Sequence, residues 1–350
     1  MAGCVCAARR MPPQYRERFD VKTTPYHLHL ESGSSRPLIY QLHEADWLAA
    51  VKRHRTLAKK LRVTIGQNDA LLDEALKTAD FMINAAPPKD RIRERAPHLK
   101  WIQTVGAGID GLMPMTWLPK DITLTNNRGA HGAKAEESCV MALLMLQARV
   151  LEIIKNQQQQ VWKSVFTAPI AGKTAVVVGF GDLGHGAGRA AKKLGLNVIA
   201  VTRSGKADKL ADRVVQASRI DSVLPKADFV IVTTPLTAQT RGLLNRDRIY
   251  RLKPGAGIIN IGRSPVVDYL ALRERLDKGE LGGAVLDVFD QEPLPPDSPY
   301  WTTENLLVLP HLSCDDPRYI DYLLDFWFSN FERFLAGRKL KNIVDRQLGY

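Results

Sequence analysis

Cysteine is scarce in this chain. Four stand in 350 residues, Cys4, Cys6, Cys139 and Cys314, and their spacing matches neither a zinc pattern nor a disulfide framework. Free thiols in a reducing compartment are expected, with no metal site. Long apolar runs are missing too. None approaches the roughly 20 residues needed to span a bilayer, and the apolar stretch within Met1–Arg10 is too short for a secretory signal. A membrane partner is therefore not expected, and the location reads as cytoplasmic. Acidic residues are the minority charge: 37 against 49 basic ones leave a net +12. Much of the excess lies in Val51–Arg62 (VKRHRTLAKKLR), where Leu57 and Leu61 keep helical spacing. A solvated helix face is the usual meaning of such a run. Nucleic acid is not expected as a partner, whereas a positive surface would draw small anions toward a cleft.

What is present is alternation. The length suits two domains. Leu38–Leu42, Arg62–Ile65, Phe81–Ile83, Trp101–Thr104 and Ile122–Thr125 read as strands. Ala45–Lys60, Asp69–Thr78 and Lys89–Ala96 carry helical or turn patterns between them. Such alternation predicts a parallel sheet covered on both faces. One long helix, Ala133–Gln159, follows; its stretch Cys139–Leu146 is apolar nearly all round and should be buried between domains or subunits. A second block supplies strands at Thr174–Val178, Asn197–Val201, Phe229–Thr233, Gly257–Asn260, Ala284–Asp287 and Leu306–Leu309. Its helices are Leu183–Leu194, Ile220–Leu224, Arg246–Leu252 and Tyr269–Lys278, with Asn245 and Asp268 as N-caps and Gly195 and Gly279 as C-terminal stops. Arg318–Phe334 then forms an amphipathic helix that should return to the first domain.

Within the second block, Ala175–Val178 runs into Gly179-Phe180-Gly181-Asp182-Leu183-Gly184. This is G-x-G-x-x-G between a buried strand and a helix. The first glycine allows the tight turn, the second lets backbone approach a pyrophosphate, and the third lets helix pack on strand. The helix start offers free N–H groups to the phosphates. At the end of the next strand an NAD site wants a carboxylate for the ribose hydroxyls. Val201-Thr202-Arg203-Ser204 has none. Arg203 and Ser204 suit the 2′-phosphate of NADP(H) instead, which makes NADP(H) the expected cofactor, with NAD(H) possible if Arg203 only stacks on adenine.

Three later segments carry a family resemblance. Asn260–Asp268 (NIGRSPVVD), Leu286–Leu294 (LDVFDQEPL) and Leu309–Ser313 (LPHLS) resemble the arginine, glutamate and histidine signatures of the D-isomer-specific 2-hydroxyacid dehydrogenases. Val105–Asp110 (VGAGID) is similar to that family's glycine-rich substrate loop, and Thr234-Pro235-Leu236-Thr237 to its loop at the cofactor cleft. The chain departs from the pattern at Gly262, commonly alanine, and at Ser264, usually glycine. The resemblance implies an α/β protein of two doubly wound parallel-sheet domains, a Rossmann cofactor domain and a flavodoxin-like substrate domain, with a cleft between them. The substrate domain is expected at residues 36–127 and 313–350, the dinucleotide-binding domain at 128–312, and an N-terminal extension at 1–35.

The chemistry accounts for the residue types. A 2-oxo acid carries a carboxylate that Arg263 can grip with a two-pronged hydrogen bond, and the N–H groups around Ala107 and Gly108 can hold its other side. As hydride reaches the carbonyl carbon, a proton must reach the oxygen. His311 is the natural donor because its pKa lies near neutrality, and an ionised Glu292 would orient its ring and favour the protonated form. The resemblance places Asp287 at the nicotinamide end of the cofactor. The reading is NADPH-dependent reduction of a small 2-oxo acid, of glyoxylate or hydroxypyruvate type, by a homodimer. Its alternatives are an NAD-linked D-lactate-like dehydrogenase and a dinucleotide-sensing protein of the co-repressor kind. His131 and His185 are expected to be structural.

Overall fold

The structure, a computed structural model, describes residues 25–34 and 37–349. Cys4, Cys6 and most of the expected extension lie outside the described residues. The chain divides into two compact units, one of residues up to Ala130 with Pro317 onward, the other His131–Asp316. The changeovers fall a few residues later than the 127/128 and 312/313 boundaries expected.

The first unit opens with β1 (Tyr26–Ser32), a 3-10 turn (Leu38–Tyr40), α1 (Glu44–Arg53) and α2 (Arg55–Ala58). It continues through β2 (Leu61–Gln67), α3 (Leu72–Leu76), β3 (Phe81–Asn84), α4 (Ile92–Arg95), β4 (Trp101–Gln103) and β5 (Thr123–Thr125). Its sheet runs β2-β1-β3-β4-β5, every pairing parallel, the order of flavodoxin-like folds.

Three expectations are corrected here. Residues 26–32 are not extension: β1 is an inner strand of this sheet. Its sequence, YHLHLES, puts Tyr26, Leu28 and Leu30 into the apolar core, while His27, His29 and Glu31 are buried on the opposite face with hydrogen-bond partners. Leu38–Leu42 is not a strand. Leu38 is 78% exposed, so that short apolar run buries little. The helix expected at Ala45–Lys60 breaks at His54, and Leu61 already belongs to β2.

The second unit comprises α5 (Gly132–Gln147), α6 (Val150–Gln158), β6 (Thr174–Val178), α7 (Asp182–Lys193), β7 (Asn197–Thr202), β8 (Arg213–Gln216) and β9 (Phe229–Val232). Then come α8 (Arg246–Tyr250), β10 (Gly257–Asn260), α9 (Tyr269–Asp277), β11 (Gly283–Leu286) and β12 (Leu306–Val308). Among the described residues its parallel sheet has seven strands in the order β12-β11-β10-β9-β6-β7-β8. Counted from β6, this is the Rossmann order 3-2-1-4-5-6 with one strand added. The strand the sequence did not reveal is β8, a four-residue edge strand. The helix expected over Ala133–Gln159 is two, because Arg149 takes a left-handed φ of 53°. The stretch Ile220–Leu224 forms 3-10 turns rather than an α-helix. Asn245 and Asp268 do cap their helices, accepting from Arg248 N and Ala271 N.

Helix α5 corrects a further expectation. Its Cys139, Leu143 and Leu146 are buried against this unit's own sheet, beside Val177, Phe229 and Ile259. Its other side leaves Met141 and Leu144 about 40% exposed, 40% and 43% respectively. The last helix, α10 (Tyr319–Leu335), returns to the first unit. Its Trp327 stacks on Trp101 at 5.1 Å, and Phe331 and Phe334 meet Tyr26 edge-on. Full burial of each such ring is worth about 1.5–3 kcal/mol, which secures a C-terminal segment so distant in sequence. Asp321 and Asp325 of α10 also pair with Arg53, so part of the basic run is neutralised within the unit.

Candidate active site

Ligands of open parallel sheets bind beyond the carboxyl ends of the strands, where the strand order reverses. In the second unit that point lies between β6 and β9, which pair in register from Ala175↔Phe229 to Val178↔Val232. The chain leaves β6 at Gly179, whose φ of 89° a side chain would strain. A Cβ on Gly184 would run into the carbonyl of Gly179, whereas a Cβ on Gly181 would meet nothing within 4 Å. Asp182, Leu183 and Gly184 form the first turn of α7. Across the switch point Thr234 and Pro235 follow β9. The Thr234 hydroxyl is buried and has no hydrogen-bond partner among the described residues. A tight turn, an open second glycine, a helix start and an unmatched hydroxyl fit the pyrophosphate of a dinucleotide.

At the end of β7 the chain turns through Arg203 and Ser204, both exposed. Thr202 Oγ1 accepts from Gly205 N at 2.9 Å, and Ser204 Oγ accepts from Lys206 N at 3.3 Å. The next acid, Asp208, is engaged: it bonds His185 Nε2 at 2.9 Å and accepts from Leu210 N. His185 is thereby held in a structural pair. His131 is tied to the Cys314 carbonyl at 3.0 Å, and burial pushes its pKa down.

The expected catalytic residues all fall at the carboxyl end of the same sheet. Arg263 follows β10, Glu292 lies beyond β11, and His311 follows β12. A cavity of about 360 Å³ is lined by Arg263, Ser264, Val288, Phe289, Asp290, Glu292 and His311. His311 Nδ1 and Glu292 Oε2 stand 2.7 Å apart, and Glu292 Oε1 accepts from Phe289 N at 2.8 Å. With Glu292 ionised, Nδ1 is the donor and Nε2 is left for chemistry. That hydrogen bond raises the His311 pKa above its ordinary value against the pull of burial. Burial pushes the Glu292 carboxyl up, but the bonds from His311 and Phe289 outweigh it and hold it below the usual range. The pair is half-exposed.

Asp287 is 1% exposed, and its carboxylate accepts from Leu312 N at 2.8 Å and Ser313 N at 3.2 Å. It pins the turn that carries His311, whose own φ is 53°. Burial pushes its carboxyl up, with these amides opposing. The two departures from the family pattern also have a physical reading. A Cβ on Gly262 would lie 2.9 Å from the Thr234 carbonyl, so this packing wants glycine. Ser264 donates to Asp290 at 2.7 Å, joining the Arg263 segment to the Glu292 segment. Sequence reading did not single out the exposed Asp290 or the buried Asn260 and Tyr269, since nothing in their spacing sets them apart.

The loop of Ala107 and Gly108 belongs to the first unit. It is held by Asn126 Nδ2 donating to the Ala107 carbonyl at 2.7 Å and by Thr104 donating to the Gly106 carbonyl at 2.8 Å. Cys139 and Cys314 are free thiols, and burial pushes both up, Cys139 to about 12. Among the described residues no group of side chains is fit to hold a metal ion, and no helix is long and apolar enough to cross a membrane.

Residues 140–313 match the family described as D-isomer specific 2-hydroxyacid dehydrogenase, NAD binding domain. The chain is 30% identical over 320 residues to a glyoxylate/hydroxypyruvate reductase B of Pectobacterium atrosepticum, covering 89% of this chain and 98% of that one. Among solved structures it resembles a D-isomer specific 2-hydroxyacid dehydrogenase from Xanthobacter autotrophicus in complex with NADPH and MES. There the TM-score is 0.80 at 28% identity, covering 93% of this chain and all of the other (100%). An NADPH-dependent glyoxylate/hydroxypyruvate reductase from Sinorhizobium meliloti, in complex with NADP and sulfate, gives 0.77 at 25% identity, covering 93% and 100%.

Proposed function

Because the chain belongs to the D-isomer-specific 2-hydroxyacid dehydrogenases, we propose that it reduces a small 2-oxo acid, of glyoxylate or hydroxypyruvate type, to the D-2-hydroxy acid with NADPH as the donor. The observation that carries this reading is the His311–Glu292 hydrogen bond beside Arg263 in one cavity. The dinucleotide, when bound, supplies the hydride. Gly179, Gly181 and the first turn of α7 hold its pyrophosphate, with Thr234 and Pro235 opposite. Arg263 takes the carboxylate of the acid and polarises the adjacent carbonyl. His311 delivers the proton from Nε2 while Glu292 keeps Nδ1. Asp287 acts on this site by fixing the His311 turn; the contact with nicotinamide that the resemblance implies would come in addition. Ala107 and Gly108, which the resemblance assigns to the carboxylate of the acid, belong to the first unit.

The preference for NADPH rests on Arg203 and Ser204 at the end of β7, on the engagement of Asp208 with His185, and on relatives of similar fold described with NADP(H). The exposed apolar residues Met141, Leu144, Ile153, Ile154, Trp162 and Phe166 support a homodimer; Trp162 is 100% exposed and Phe166 93%. The helix around Cys139–Leu146, expected to form that interface, offers Met141 and Leu144 to it, while its Cys139, Leu143 and Leu146 are covered by the unit's own sheet.

The test is NADPH oxidation across glyoxylate, hydroxypyruvate, pyruvate and bulkier 2-oxo acids, repeated with NADH. Turnover with glyoxylate and hydroxypyruvate and a preference for NADPH are expected. Arg203→Ser should raise the KM for NADPH roughly tenfold, about 1.4 kcal/mol, and leave that for NADH unchanged. Equal use of both cofactors by the unaltered enzyme would overturn the assignment of Arg203. Absence of turnover with every acid would overturn the enzymatic reading.

A further inference from the structure

We propose that Tyr269 is a positioning residue for the Glu292–His311 pair, acting through the peptide group between Val288 and Phe289. The proposal rests on the reading of Glu292 as orienter and His311 as proton donor.

Tyr269 is the first residue of α9 and is buried. Its hydroxyl accepts from Asn260 Nδ2 at 2.9 Å and donates to the Val288 carbonyl at 2.9 Å. Asn260, fully buried, uses its second amide hydrogen on the Arg263 carbonyl at 3.1 Å and its oxygen on Gly262 N at 3.0 Å. The Val288 carbonyl and the Phe289 N–H belong to one rigid plane and point in opposite directions. Fixing the carbonyl therefore aims the N–H, and that N–H donates to Glu292 Oε1. The other Glu292 oxygen holds His311 Nδ1. An unbroken series of hydrogen bonds thus runs from the segment bearing Arg263, through Tyr269 and one peptide plane, to the imidazole.

This peptide lies just past the end of β11, whose last ladder partner is Asn260 opposite Leu286. The sheet no longer dictates its tilt there, so a side chain must. Tyr269 does so from the same asparagine that holds the Arg263 backbone. The hydroxyl is kept protonated, as a donor, because burial pushes its pKa well above the usual tyrosine value. Without it, the plane is free to rotate, the Phe289 N–H swings off Glu292, and the carboxylate loses its fixed aim at His311.

The experiment is the NMR titration of His311 in the full chain, assigned by His311→Gln, for the unaltered protein, Tyr269→Phe, Glu292→Gln and Tyr300→Phe. The charged groups facing His311 are Glu292, Asp287 and Arg263, with His131 beyond, and Tyr269→Phe changes none of them. The His311 midpoint is expected to fall by about one pH unit in Tyr269→Phe, toward its position in Glu292→Gln. Tyr300→Phe removes a hydroxyl from the same aromatic cluster and is expected to leave the midpoint in place. In parallel, kcat for 2-oxo acid reduction should fall roughly tenfold in Tyr269→Phe with the KM for NADPH unchanged. A midpoint that stays or rises in Tyr269→Phe overturns the proposal, as does an equal fall in Tyr300→Phe. Should the phenylalanine variant not fold, Tyr269→Met removes the same hydroxyl with a side chain that adapts its shape, and the same outcomes decide. The titration needs no turnover, so an inactive unaltered protein would count against the proposed reaction while the His311 midpoints still judge Tyr269.

Discussion

Glu292 and His311 each change what the other is. The carboxylate lies within hydrogen-bond reach of one ring nitrogen and thereby fixes which nitrogen faces the cavity. The imidazolium is favoured, the form that would carry the proton for the alkoxide in the proposed reaction. The pH dependence follows in sign. The His311 pKa is raised, so the donor form persists above the ordinary histidine range. The reductive kcat/KM should then fall as pH rises through that raised value, above the ordinary histidine range. Glu292→Gln removes the anion and should move this fall to lower pH, toward the ordinary histidine pKa of about 6.5. Identical pH profiles for the two proteins would show that Glu292 does not tune His311.

Strand β1 shows how an element can be central and still look unlike a core strand. One face is Tyr26, Leu28 and Leu30; the other is a directed series of hydrogen bonds. His29 meets Glu31 through Nε2 and the Thr64 hydroxyl through Nδ1. The Thr64 oxygen then accepts from His27 Nε2. His27 Nδ1 in turn accepts from Thr78, which accepts from Arg62. A second proton on His27 breaks this order beside the Arg62 guanidinium. Burial, with Arg62 and His29, lowers its pKa from 6.5 to about 4. The unfolded chain therefore takes up this proton at higher pH than the folded one. Stability from this group is full above about pH 6.5 and is lost as pH falls toward about 4, by up to about 3 kcal/mol. Hydrogen exchange of the β1 amides between pH 7 and pH 4.5 would read this in the first unit alone. His27→Gln should flatten the loss, and an undiminished loss in the variant would assign the effect elsewhere.

Viewed as a whole molecule, the chain builds two parallel sheets from an interrupted sequence, and α10 closes the first unit only after the second is complete. Exposed apolar residues from Met141 to Phe166 follow one another on α5, α6 and the segment after them, while others such as Leu38, Leu71 and Leu270 lie elsewhere. A monomer rarely leaves tryptophan and phenylalanine so open beside further apolar side chains. Light scattering should give a dimer for the unaltered chain. The double variant Trp162→Glu, Phe166→Glu should give a monomer, since two carboxylates would have to be buried without partners. A monomeric unaltered chain would remove the homodimer from the proposal.

The local patterns that identify the family were legible in the residues alone. A glycine-rich turn between strand and helix, an arginine past a strand end, a glutamate before proline and a histidine after proline are short-range features. Their steric and chemical demands act within a few residues. The inner strands of the second sheet were legible for a similar reason: buried on both faces, they read as continuous apolar runs, whereas the edge strand β8 does not. Helix breaks at His54 and Arg149 left no such mark, because no glycine or proline encodes them and packing decides where the chain turns. Strand β1 was hidden because one of its two buried faces is polar, and histidine in a core makes sense only once Thr64, Thr78 and Glu31 are known to meet it. The hydrogen bonds of Asp287 to the His311 turn, of Ser264 to Asp290 and of Tyr269 to Val288 join residues 19 to 26 positions apart. Such pairings arise when separate strand ends are brought side by side by the sheet, which is why tertiary structure alone could decide them.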